Sequence, residues 1–156
     1  MEGREGRTMR AFKPLNSLHR NSKGQATVEL MLMTPLILFL FIIVVDFSLA
    51  LRDWVMISNG VREGARLGAL GGPYGPDDIT DRVVATSDGI VQAGEVTVGY
   101  PDGGDRGDSV VVRTEHAYTF HFLSKIFPID PTITLTTCAD MRLEVAAADA
   151  SGGISC

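Results

Sequence analysis

"LMLMTPLILFLFIIVVDFSLAL", Leu30 to Leu51, decides how the rest of the chain is organised. Only Thr34 and Pro35 among its first sixteen residues are not strongly apolar, and the stretch through Leu51 is 22 residues long. A helix needs roughly 20 residues to cross about 30 Å of hydrocarbon, so this stretch reads as a transmembrane helix. Trp54 follows where an interfacial aromatic belongs. Basic residues crowd ahead of the run, whereas only Arg52, Arg62 and Arg66 follow nearby. The positive-inside rule therefore predicts a cytoplasmic N-terminus, with everything after about residue 52 outside the membrane.

A cleavable secretory signal is also basic, then apolar, then cut. Its apolar core is usually about 7–15 residues, shorter than this one, and no small-x-small site follows in "DFSLALRDW". A cut after Ala50 is that rival's version, and an uncleaved signal anchor is another.

With 156 residues the chain has room for one modest domain plus accessory segments. Its net charge of −5 conceals an asymmetry. Six basic and two acidic residues fall in residues 1–24, so of 14 basic and 19 acidic residues overall, 8 and 17 remain in residues 25–156, a net charge of −9. An acidic body argues against a nucleic-acid partner, whose phosphates need a positive surface.

Residues 1–23 read as a polar leader with no sustained apolar period. From about Ala26 one helix is expected to run to about Leu70, kinked by Pro35, with Thr34 helping to satisfy the freed carbonyl. Beyond the membrane the pattern becomes one-sided, with Trp54, Ile57, Val61 and Ala65 spaced by three and four and Leu67 two residues further on. Gly60, Gly64 and Gly68 recur at every fourth residue, and each costs a helix up to about 1 kcal/mol relative to alanine. Such a stripe is either a surface where another backbone comes close or a frayed helix end. "GGPYGP", Gly71 to Pro76, ends the helix, and Asp77 or Asp78 is placed to cap a short one carrying Ile79, Val83 and Val84.

The remainder alternates with period two. Strands are expected at Val96 to Tyr100, Val110 to Phe122 and Thr132 to Val145, separated by the turn cluster "PDGGDRGD" and by "FPIDP". Three antiparallel strands have one face to bury, and the helix offers a matching stripe. The expected fold is α+β: a long N-terminal transmembrane helix extending into an extracytoplasmic head, with a small antiparallel sheet packed on it. The boundaries are a leader at 1–24, the span at 25–52, the head at 53–147 and a mobile tail at 148–156.

Little here suggests catalysis. His116 and His121 are five apart in a strand and point to opposite faces, so they cannot share a metal. "RGD" at Arg106 to Asp108 sits in a glycine-rich turn, and turn chemistry explains Asp102, Asp105 and Asp108 better than calcium binding does. No nucleophile with its base, phosphate loop or zinc spacing is present, so neither an enzyme, a cofactor nor a metal is expected. Cys138 and Cys156 both fall outside the membrane, where disulfides persist. They either bridge each other, worth about 3 kcal/mol by chain entropy, or the terminal cysteine pairs with a partner.

Glu29 stands at the threshold of the apolar run, five residues after Gly24 and behind the basic leader. The segment "KGQATVEL" resembles the processing site of type IV-like prepilins, in which a membrane aspartyl peptidase removes a basic leader after a glycine. On that resemblance the cut falls between Gly24 and Gln25, and Glu29 is the acid kept for assembly. Gly24, Glu29, Pro35, Asp46-Phe47 and "VREGAR" at Val61 to Arg66 together resemble the N-terminal signature of TadE-like pseudopilins of the tight-adherence (Flp pilus) secretion system. "ITLTTCADMRLE" is more loosely similar to the family's closing strand.

The resemblance implies a minor pilin or pseudopilin in the inner membrane. Its implied partners are the prepilin peptidase, other Tad pilins and pseudopilins, the inner-membrane assembly platform and membrane lipid. An uncleaved, single-pass membrane-anchored binding protein is the rival class, and it predicts a Glu29 indifferent to substitution. A secreted enzyme with a cleaved signal is the third.

Overall fold

The computed structural model describes residues 22–126 and 130–156. The leader up to residue 21, and Phe127 to Ile129 of the expected break between strands, lie outside the described residues. The chain divides into two compact units, Met1–Ile37 and Leu38–Cys156. Helix α1, Ser22–Ala69, contributes to both.

In the first unit, α1 exposes every side chain from Gly24 to Ile37. Val28, Leu30, Met31, Leu32 and Leu36 are all more than half exposed, as suits a helix whose surroundings are apolar. Helical structure continues through Pro35. Thr34 Oγ1 donates to the Leu30 carbonyl at 2.7 Å. That is one residue short of Met31, whose carbonyl lies four before Pro35 and receives no N–H from it.

The second unit is the α+β head together with the part of α1 that it covers. Its sheet is antiparallel in the order β1 (Val96–Gly99), β2 (Ser109–Thr119), β3 (Thr132–Arg142). The register sets Val98 against Val112 and Val112 against Ala139, and it pairs Thr114 with Thr137 and Tyr118 with Ile133. Alternation sends Val110, Val112, Thr114 and Tyr118 of β2, and Leu135, Thr137 and Ala139 of β3, inward. They meet a buried α1 stripe of Ala50, Ile57, Val61 and Ala65, spaced by turns of the helix. Trp54, four residues after Ala50 and three before Ile57, shares their spacing yet is 42% exposed.

Helix α2 (Pro76–Thr86) completes the core with Ile79 and Val83, both fully buried. Its N-cap is Gly75, Pro76 takes the first helical position, and Asp78 accepts the Gly75 N–H at 2.9 Å. Asp77 and Asp78 therefore lie in the first turn and favour the helix through its dipole, and neither is the cap residue itself.

Both long strands end earlier than alternation alone suggests. β2 stops at Thr119, and Phe122 opens the one-turn helix α3 (Leu123–Ile126). β3 stops at Arg142 because Leu143 leaves the ladder for the β1–β2 turn. It donates to Asp108 O at 2.8 Å and accepts from Gly107 N–H at 2.9 Å. The chain then ties several elements together: Glu144 N–H bonds Ala69 O at 2.7 Å, Ala147 N–H bonds Gly104 O at 2.9 Å, and Tyr100 N–H bonds Gly152 O at 2.7 Å. Residues 152–154 lie over Gly99 on the sheet's outer face, and Val111, the register partner of Gly99, is only 2% exposed.

Candidate functional site: the start of α1, the apolar run and Asp46

Gly24 and Gln25 stand in the opening turn of α1, exposed, with open space where a Gly24 side chain would be. Glu29 is four residues beyond Gln25, which places both on one helix face. It is exposed and has no hydrogen bond or ion pair among the described residues. These groups are open to a partner on all sides, and an 18-residue apolar window in the same helix is wholly unburied.

The glycine stripe faces inward, onto α2 of the same chain. A side chain at Gly60 would stand 3.0 Å from Val83 O and 3.2 Å from Ser87 Cβ, one at Gly68 would stand 2.9 Å from Ile79 Cδ1, and one at Gly64 would run into Val83 Cγ2. The three glycines let α2 approach the α1 backbone, and an ion pair between Glu63 and Arg82 at 2.7 Å bridges the two helices alongside. Arg82, by hydrogen bond and by charge, holds the Glu63 carboxyl below its usual range against the opposing effect of partial desolvation.

Asp46 is the site residue whose role sequence reasoning missed. It is 1% exposed, and both its oxygens accept the Phe122 N–H, at 3.1 and 3.0 Å, while Oδ2 also accepts the Leu123 N–H at 2.8 Å. Helix starts leave backbone N–H groups without partners, and here a carboxylate from 76 residues earlier caps one. The available signal was that Asp46 is the one charged residue between Glu29 and Arg52. Nearby, Tyr118 packs edge-on against Phe120 at 5.5 Å and places its hydroxyl 3.4 Å from His121 Nδ1. Burial, then the charges of Asp53 and Asp46, raise the Tyr118 pKa.

The other candidates are structural. His116 faces Glu95 at 3.1 Å, while His121 lies beyond the end of β2. Burial acts to raise the Glu95 pKa, but the Gln92 N–H and His116 together hold it below the usual range. In the β1–β2 turn, Asp108 Oδ2 accepts the Asp105 N–H at 2.9 Å, as turn chemistry requires. Among the described residues no group of three or more His, Cys, Asp or Glu is arranged to hold a metal. Cys138 and Cys156 are bonded to each other with their Cα atoms 5.8 Å apart, which fastens the chain end to the outer face of β3.

A long apolar helix, unburied over an 18-residue window and continuing into a small α+β head, is consistent with a single-pass membrane anchor. Residues 24–66 match the family model of TadE-like proteins. The match covers 43 of the 156 residues, so it is this stretch of α1 that is similar to TadE-like proteins. Searches of curated proteins and of solved structures found no match.

Proposed function

We propose that this protein is a minor pilin or pseudopilin of a tight-adherence, type IV-like pilus apparatus. A prepilin peptidase removes residues 1–24 on the cytoplasmic side, Gln25 becomes the N-terminus, residues 25–52 remain in the inner membrane, and the head at 53–147 lies outside. The mature subunit works by inserting among other Tad pilins on the assembly platform, and it supports pilus assembly and adhesion.

The observation that carries this reading is the family match starting at Gly24, together with an exposed Glu29 that has no partner among the described residues. A carboxylate at the membrane edge or deeper costs up to about 2.5–3.5 kcal/mol and so tends to find a partner. Cleavage creates one, the protonated amine of Gln25. Pairing that amine with Glu29 of a neighbouring subunit in a low dielectric fixes the axial register of one helix against the next.

Mass spectrometry of the N-terminus, on protein from membranes that contain the native peptidase, tests the first step. A start at Gln25 is expected. A start at Met1 favours the anchored binding protein, and a start after Ala50 means ordinary secretion. For the second step, Glu29→Ala is expected to leave leader removal largely intact and to abolish pili, so normal pili from that variant would sink the pairing.

A further inference from the structure

Residues 120–126, the part of the β2–β3 loop that directly follows β2, carry an apolar surface that the head does not bury. Phe122 is 44% exposed, Ile126 is 49% exposed, and Ile133 just beyond the loop is 37% exposed. Its position follows from Asp46, which holds the N–H groups of Phe122 and Leu123. Asp46 lies six residues before Arg52, about 9 Å along the helix axis. On the same stretch of α1, Phe47 and Leu51 are 59% and 50% exposed.

Helix arithmetic then sets the depth. The sixteen residues Leu30–Val45 supply only about 24 Å of length, so a span of about 30 Å counted from Leu30, the first residue past Glu29, takes in the residues from Asp46 to about Leu49. A carboxyl group at that depth needs a partner. The loop provides it, and in doing so the loop is drawn to the depth of Asp46. Lys125, exposed between Phe122 and Ile126, has a stem long enough to lie along apolar surface while its ammonium reaches a phosphate.

We infer that residues 120–126, the stretch directly after β2, are a second membrane contact, with Phe122 and Ile126 inserted into the interfacial layer of the bilayer beside α1 and Asp46 holding them there. Lipid is the occupant because the bonds to Asp46 bring the loop to the stretch of α1 that exposes Phe47 and Leu51, the side chains an anchor helix would turn to lipid there. The inference rests on the reading of α1 as a membrane anchor.

Full-length protein in vesicles of phosphatidylcholine and phosphatidylglycerol tests it, with Trp54→Phe as background and single reporters at Phe41→Trp in the span and Phe122→Trp in the loop. Both reporters should emit at short wavelength, lose their emission to lipids brominated on the acyl chain, and be shielded from acrylamide. If Phe41→Trp is quenched by bromine while Phe122→Trp emits as a water-exposed indole open to acrylamide, the anchor stands and the loop contact is wrong. If Phe122→Trp escapes both quenchers and opens to acrylamide on dilution with lipid, a second copy covers the loop, and the inference is again overturned. Bromine indifference at Phe41→Trp removes the anchor and the inference together. Adding Asp46→Ala should release Phe122→Trp to water and leave Phe41→Trp in lipid, and a loop still quenched by lipid in that variant refutes the part given to Asp46.

Discussion

Replacing Gly64 by alanine sets two effects of known size against each other. Alanine favours an exposed helix interior over glycine by up to about 1 kcal/mol, so propensity alone makes Gly64→Ala stabilising. Against this, the new methyl runs into Val83 Cγ2, with Ile79 O at 3.4 Å and Ile79 Cγ2 at 3.6 Å behind it. Val83 is fully buried, and a valine in a helix has essentially one side-chain rotamer, so α2 itself has to move. Overpacking of this kind costs about 1–3 kcal/mol, and the net expectation is destabilisation of about 1 kcal/mol.

The assay is denaturant unfolding of the full chain in detergent, followed by Trp54 fluorescence, for Gly64→Ala, Val83→Ala and the double variant. The removed valine methyl groups make room for the added one, so the double variant should be more stable than the sum of the singles predicts, by about 1 kcal/mol or more. A stabilised Gly64→Ala, or strictly additive singles, would refute the account of the glycine stripe as the seat of α2. Gly64→Leu should unfold the head outright, so its failure to assemble would carry no information about partner subunits.

Asp46→Ala removes the acceptor of two backbone N–H groups, and bonds to a charged group are worth about 1.5–3 kcal/mol, so the Phe122 and Leu123 amides should exchange hydrogen much faster. Unchanged exchange at those two amides would count against the cap. Thr114 and Thr137 face each other in the core with hydroxyls that find no partner among the described residues, and Thr114→Val should raise stability by about 1 kcal/mol, a claim that any loss in unfolding free energy contradicts. The folded-state pKa of Glu95 is depressed, so its contribution is present above the ordinary glutamate pKa of about 4.3 and fades as pH falls through the lower folded value. Glu95→Gln should therefore differ from the wild type at neutral pH and converge with it in acid. Cys156→Ser should cost about 3 kcal/mol and speed amide exchange at Tyr100, and protected exchange there would mean that the bridge does not hold the chain end in place.

The long helix and the three strands were legible because their signals are periodic and local. Sixteen nearly unbroken apolar residues, then Ile57, Val61 and Ala65 at helical spacing, then Val110, Val112 and Thr114 alternating, need no knowledge of what they touch. Asp46 was harder to read. Its role depends on backbone N–H groups contributed from Phe122 and Leu123, and any residue type can supply an N–H. The same holds for residues 146–156, whose alanines, glycines and serines suggest a loose end while their backbone atoms bond Gly72, Gly104 and Tyr100. The glycine stripe lies between these cases: its spacing left a close approach and a frayed helix end both open, and only the fold shows that Val83 and Ile79 lie against it.

Asp46 also has a mechanical consequence. From Asp46 to Gly68, α1 is built into the head over about 33 Å of axial rise, starting at the carboxylate that grips α3 and ending where Gly68 meets Val110. Tension on the head along the helix axis therefore enters α1 as shear distributed over six turns, with no single peptide acting as a hinge. To detach the head from its helix, a pull must slide the whole core at once.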